Sequence, residues 1–338
     1  MSRYIGFAEE TTFGTKGTTV MDFRFLNETV GTTREDFFPE TAEYWTPTSK
    51  VDGFFRGGGD IVIPVDPVQF PKLLVLHMGD PTTTGPDDSA YEHVFKYGGN
   101  ESVSATGVKP FTLYKGVGIE KDRLFLGCLI ENLTLDCVNR EPVTATVSVI
   151  HSGHETLETA RTPDYSAYDP PRFFSFAKVA TMTIGGADRL STAPTIEAFH
   201  GSLPRSYDTD HYVLGNPYLA APSLSGFAIP TGSMDLSFTS EDEHERFLGS
   251  VGASETGDQS SFAIVLELQG ALIGSSSKYG IKIEIPKAYY TGEGSVANVT
   301  GRDRIVQTVN WRGAYDSSEA CSAKITVTNI TDDYTSLS

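Results

Sequence analysis

The chain is short of basic residues: 26 Lys and Arg stand against 44 Asp and Glu, a formal net charge of −18 over 338 residues. That balance repels a nucleic-acid backbone wherever no local basic patch overrides it, and it excludes a sequence-specific DNA reader. Cysteine is scarce as well. Cys128, Cys137 and Cys321 are an odd number without CxxC spacing, so they announce neither a disulfide framework nor a zinc site and read as small buried apolar residues. No run approaches about eighteen apolar residues, and MSRYIGFAEETTFGT at the N-terminus has an acidic pair where a signal peptide needs an apolar core. The expectation is a soluble, unexported chain that does not engage a membrane.

Signatures of catalysis are missing too. None of the seven histidines accompanies a GxSxG elbow or a comparable nucleophile cluster. His151 and His154 in HSGHE have metal-compatible spacing but no third ligand nearby, so they read as loop residues. EDEHE at 241–245 falls in the first turn of an expected helix, where acids complement the helix dipole. GGGD at 57–60 precedes a strand, whereas a phosphate cradle places its glycines after a strand and before a helix. A bend or bulge at the start of that strand is the expectation. The residues point to a non-enzyme with no catalytic residues, no cofactor and no metal.

What is present is strand. Short runs rich in Val, Ile, Thr, Phe and Tyr alternate with Gly, Pro, Asn and Asp. Examples are IVIPV at 61–65, LIENLTLDC at 129–137, VTATVSVI at 143–150, MDLSF at 234–238, FAIVLEL at 262–268, IKIEI at 281–285 and IVQTVNW at 305–311. Period-2 alternation in VTATVSV turns Val143, Ala145, Val147 and Val149 to a core and Thr144, Thr146 and Ser148 outward. In the second run Met234, Leu236 and Phe238 face in, while Ser233, Asp235 and Ser237 face out. Both outer faces carry only small polar or acidic groups.

One short helix is predicted in VDPVQFPKLLVLHMG, with Asp66 as its cap, Pro67 at its first position, Leu73, Leu74 and Met78 as its buried stripe and Gly79 at its end. Pro71 limits the regularity of its first turn. This unit occurs twice. Residues 53–80 lie without a gap over 226–253, at an offset of 173 residues. Ile61, Ile63 and Val65 fall on Met234, Leu236 and Phe238; the cap Asp66 falls on Thr239, beside a capping box of Ser240 and Glu243. Leu74, Val75, Met78 and Gly79 fall on Phe247, Leu248, Val251 and Gly252.

The same offset lays FRFLNETV (23–30) over IEAFHGSL (196–203) and leaves two long loops of equal length, 31–52 and 204–225, rich in Tyr, Pro, Asp and hydroxyl residues. Loops this long are usually functional or interfacial, and their aromatics suit a protein partner. Residues 154–176, with Pro163, Pro170 and Pro171, read as an extended connector. The expected organisation is all-β with short flanking helices: a first domain at 1–153, a connector arm at 154–176 and a second, related domain at 177–338.

Four stretches resemble the tail tube proteins of long, non-contractile-tailed viruses (siphoviruses) of bacteria and archaea. They are GFAEETTFGTKGT (6–18), IVIPVDPVQFPKLLVLHMGDP (61–81), LIENLTLDCVNREPVTATVSVIHSG (129–153) and IPKAYYTGEGSVANVTGRDRIVQTVNWRGAYD (285–316), spread in order over nearly the whole chain. The resemblance implies a β-sandwich or half-barrel with a flanking helix, in two tandem copies. In that family copies pair edge to edge into rings, and stacked rings form a hollow tube. It further implies a virion tail protein made in the host cytoplasm, with other tail proteins at the tube ends and viral DNA passing non-specifically through the lumen. Relatives close a ring of six; two copies in one chain imply a trimer with pseudo-sixfold symmetry, and a hexamer if only one copy keeps the lumen edges.

On this resemblance Thr144, Thr146, Ser148, Ser233, Asp235 and Ser237 are lumen-facing candidates. Phe37, Phe38, Tyr44, Trp45, Tyr212 and Tyr218 are candidate anchors between rings, and the connector is a candidate clasp on an adjacent subunit. The rival is a carbohydrate-binding or adhesive β-sandwich of the virion, a decoration or tail fibre module, with Trp45, Tyr289 and Tyr290 as its platform.

Overall fold

A computed structural model describes residues 3–47, 49–99, 107–190, 196–238, 241–249, 259–292 and 305–334. The strands of the first half are β1 (Arg3–Glu9), β2 (Met21–Phe23), β3 (Asn27–Glu28), β4 (Gly31–Phe37), β5 (Val51–Pro64), β6 (Thr82–Asp87), β7 (Ala90–Tyr97), β8 (Phe111–Val117), β9 (Lys121–Val138) and β10 (Thr144–His151). The connector contributes β11 (Glu155–Thr159). The second half contains β12 (Val179–Ile184), β13 (Ala187–Asp188), β14 (Ile196–Pro204), β15 (Thr231–Ser237), β16 (Phe262–Leu272), β17 (Lys278–Thr291), β18 (Val306–Gly313) and β19 (Ala323–Asn329). Among the described residues there are two α-helices, α1 (Phe70–Met78) and α2 (Asp242–Leu248). The all-β expectation holds, and all the strand pairs are antiparallel.

The strands of each half are joined in the same order. In the first half the series runs β1–β8–β9–β10–β5, with β3 and β4 on the outer edge of β5. In the second it runs β12–β16–β17–β18–β15–β14. The long strands β9 and β17 each pass between two sets of neighbours. The start of β9 lies between β8 and β11 and its end beside β10; the start of β17 lies between β16 and β19 and its end beside β18.

Two seams join the halves: β9 pairs with β14, and β7 with β19. Apolar residues of both halves merge into one core, from Ile5 and Phe7 through Ile61, Leu74 and Val147 to Phe199, Ile283 and Trp311. All three cysteines are buried and unbridged. The connector runs along its own chain: β11 pairs with β9, and buried Phe174 exchanges backbone hydrogen bonds with Val65 and Val143.

Several local expectations change. The triple glycine is no bend, because Gly57, Gly58 and Gly59 lie inside β5 and pair with His151, Ile150 and Val149 of β10. Their need is space: a Cβ on Gly57 would stand 1.8 Å from Nε2 of His151, and Gly59 has φ +150° against the Thr29–Val30 backbone. Helix α1 begins at Phe70, later than the Asp66 cap implies. Asp66 Oδ1 accepts from the N–H groups of Val68 and Gln69, so it caps the preceding turn, while Pro71 withholds a donor just after. The helix is buried nearly all round, from Phe70 to Met78 with Lys72 the exception, so it has no solvent-facing polar side. In the second copy Thr239, Ser240, Val251 and Gly252 lie outside the described residues, and Gly249 closes α2.

Candidate functional site

The two expected polar faces form one surface. Register places Thr146 opposite Thr134, Thr134 opposite Ser202 and Ser202 opposite Thr231, a row of hydroxyls crossing β10, β9, β14 and β15. The next row runs Thr144, Asp136, His200, Ser233, Asn310 and Thr291. Thr144, Thr146, Ser148, Ser233, Asp235 and Ser237 therefore share one face of an eight-strand sheet ordered β4–β5–β10–β9–β14–β15–β18–β17. Their neighbours Val143, Ala145, Val147, Val149, Met234 and Leu236 are buried on the other face; Phe238 is half-buried just past the end of β15.

The acids of this face are tied to adjacent strands. Ser148 Oγ donates to Asp60 Oδ1 at 2.7 Å and Thr308 Oγ1 donates to Asp235 Oδ1 at 2.6 Å. Ser237 Oγ donates to Glu197, and Ser202 Oγ to Asn132 Oδ1 at 2.8 Å. Nδ1 of His200 lies 2.6 Å from Asp136 Oδ1 across the β9–β14 seam. The result is a surface of short, mutually bonded side chains along these rows; Ile150, at the end of β10 on the same face, packs half-buried with the cluster of Tyr207 and Leu224. Asp60, Asn132, Asp136, His200 and Thr308 belong to this surface and were missed in the sequence, because cross-strand partners are set by register and not by spacing along the chain.

The long loops meet at one end of the same sheet. The stretch 31–52 is not a loop throughout: β4 and the start of β5 make it a hairpin whose turn runs from Phe38 to Lys50. The stretch 204–225 folds against that hairpin. The backbone N–H of Phe55 donates to Pro217 O at 2.9 Å, and Arg56 pairs with Asp210 at 3.3 Å.

This contact divides the six aromatic candidates. Tyr212 lies with its ring 4.9 Å from Phe54 and its hydroxyl donating to Phe55 O at 2.8 Å; burial and the acids around it push its phenol up. Tyr218 stacks on Phe55 at 5.4 Å and on His154 at 4.7 Å. Those two hold the loops together. Phe37, Phe38, Tyr44 and Trp45 stay exposed, Trp45 completely, and Leu214 of the second loop is equally bare.

The clusters weighed for chemistry resolve otherwise. His151 and His154 do not converge: Nε2 of His151 approaches Gly31 O at 3.1 Å, and His154 stacks on Tyr218. Glu243 of the EDEHE run is buried, paired with Arg189 and Arg246 and accepting from the Tyr290 hydroxyl. It anchors α2 and is out of reach of a substrate. Among the described residues no group of three or more His, Cys, Asp or Glu side chains is placed to hold a metal, and no helix is long and apolar enough to cross a membrane.

Open sheet edges and bare aromatics on the β4–β5 hairpin suit a protein that assembles with further chains. A family model described as phage tail tube protein matches residues 2–313, and the chain belongs to that family. It is a structural component of the virion tail that assembles with itself and with other tail components. No curated protein matches it.

Proposed function

We propose that three copies close a ring whose bore is lined by the polar face described above, and that stacked rings form the tail tube through which viral DNA passes. The observation that carries this reading is the eight-strand sheet itself: two series in the same order, joined edge to edge by β9 and β14, with one continuous polar face. The matched order, with the 173-residue repeat, supports a duplication of one tube domain, 1–153 and 177–338, linked by 154–176. Each half then supplies the edges that a separate subunit would supply, so a ring with true threefold and pseudo-sixfold symmetry needs three chains.

The dimensions agree. Three such sheets give about 24 strands; at a spacing of about 4.8 Å and a tilt of about 40° the barrel backbone is about 48 Å across, wide enough for a duplex and its water. A six-chain ring would need one half to stay out of the wall, yet both halves contribute to the polar face. The face suits passage in its two central rows, where acids are tied to hydroxyls and no lysine stands, while Arg312, opposite Thr231 on β18, is a cation at its margin.

The exposed Phe37, Phe38, Tyr44 and Trp45 act as contacts to the next ring, from one end of the strands. The carbohydrate-binding reading is weaker, since Tyr290 is buried against Glu243 and the Tyr289–Tyr290 pair makes no open platform. Negative-stain microscopy of the purified protein at raised concentration tests the proposal. Hollow tubes with a regular axial repeat are expected; persistent monomers that bind glycans would overturn it.

A further inference from the structure

The seam between the halves is complete within the chain. The end of β9 has β10 on one edge and β14 on the other, and the buried helix α1 lies beneath. His77 of α1 reaches across this seam, with Nε2 2.8 Å from Leu203 O on β14 and Nδ1 3.3 Å from Ile130 O on β9. The matching place at the other side of the sheet is half built. Among the described residues, Tyr289, Tyr290 and Thr291 at the end of β17 pair with β18 alone, and β4 pairs with β5 alone. Helix α2, the counterpart of α1, is half-buried along most of its length where α1 is enclosed.

Resting on the tube reading above, we infer that these are the two lips of the seam between chains: β4 of one copy pairs antiparallel with the end of β17 of the next, over α2. The internal seam sets the register. Gly58 and Thr231 correspond in the 173-residue repeat, and opposite them stand Gly31 and Ser202; pairing thus sets this outer strand two residues off its sequence alignment of 23–30 with 196–203, and Thr33 corresponds to Pro204. On the other lip Asp60 and Ser233 correspond; opposite them stand Ser148 and Asn310, whose outer neighbours are Asn132 and Thr291. Within the chain Pro204 stands opposite Asn132, so between chains Thr33 stands opposite Thr291.

Strand direction agrees, since an even number of antiparallel strands brings the next β4 to β17 antiparallel. The side chains agree as well. Thr33 and Thr291 are both exposed, and Arg34 takes the place of Arg205, whose backbone N–H donates to Glu131 O at 2.7 Å in the internal seam. An unpaired strand edge is a ready template for another chain, and a second copy offers the matching lip.

The test is disulfide trapping in assembled tubes with the double variant Thr33→Cys, Thr291→Cys, after which non-reducing gels separate the linked chains. The native thiols are buried and contribute little background. Pro204→Cys with Asn132→Cys serves as the control, closing a bridge within one chain. Linked species of two and three chains are expected from the 33/291 variant in tubes and not in dilute monomer. Tubes that form without those links overturn the seam and leave the tube reading standing, whereas failure of the parent chain to form tubes overturns both. Hydrogen exchange on the parent gives a second readout. Amides of β4 and α2 should gain at least tenfold protection on assembly, and unchanged exchange there would also overturn the seam.

Discussion

At the scale of single residues the buried polar groups decide most. Glu243 neutralises Arg189, which is itself buried, and accepts from Tyr290. Removing one member of such a set leaves the others charged or unpaired in the core, at a cost of about 3–5 kcal/mol. Glu243→Ala should lower stability by that amount in urea denaturation, and a loss below about 1 kcal/mol would show that Arg189 finds water instead. His77 gives a pH prediction. Burial first, then the nearby Arg205 charge, pushes its imidazole down to about 3. The unfolded residue titrates near 6.5, so between those values the unfolded chain binds the extra proton and stability rises with pH. It is fully present above about pH 6.5 and is lost progressively toward pH 3, by on the order of 5 kcal/mol. His77→Gln should flatten the pH dependence of the urea midpoint over that window; an unchanged slope would contradict the assignment. Neither group was legible in the sequence. EDEHE showed an acidic helix start, and the partner Arg189 lies far from it along the chain; His77 showed only as a residue near the end of a helix.

At the scale of elements the strands were the legible part. Alternation such as Val143, Ala145, Val147 and Val149 carries its own evidence of which face is buried, and β10 and β15 follow it. What alternation does not carry is extent. β5 begins ten residues before IVIPV, because glycines with no apolar signal can still pair where His151 and the Thr29–Val30 backbone come close. That extension turns an expected loop into a hairpin whose turn carries exposed Phe38, Tyr44 and Trp45. Deleting residues 39–47 should leave the circular dichroism of the monomer and its denaturation midpoint within about 1 kcal/mol of the parent, since surface changes away from buried features cost little. Tube formation should be lost. Normal tubes from this variant would remove Tyr44 and Trp45 from the ring-to-ring contact.

At the scale of the whole molecule, charge and symmetry carry the account. The net charge of −18 and the hydroxyl-rich face predict that the bore does not retain DNA. Placing lysines there, as in Ser148→Lys with Thr308→Lys, should give tubes that hold duplex DNA at low salt and release it as salt rises, each chain adding charge to every ring. A filter-binding titration across about 20–300 mM salt reads this, and equal retention by parent and variant would argue that these residues face elsewhere. The repeat was visible in the sequence as a gap-free match, but the pairing of the two halves was not, because β9–β14 pairing is a contact between distant segments. In the proposed ring that join makes one chain fill the place of two neighbours. The most direct measurement is therefore end-on cryo-electron microscopy of assembled tubes, counting chains per ring. The account predicts three, related by a true threefold axis with an approximate sixfold wall; six chains per ring, or chains that never close one, would contradict it.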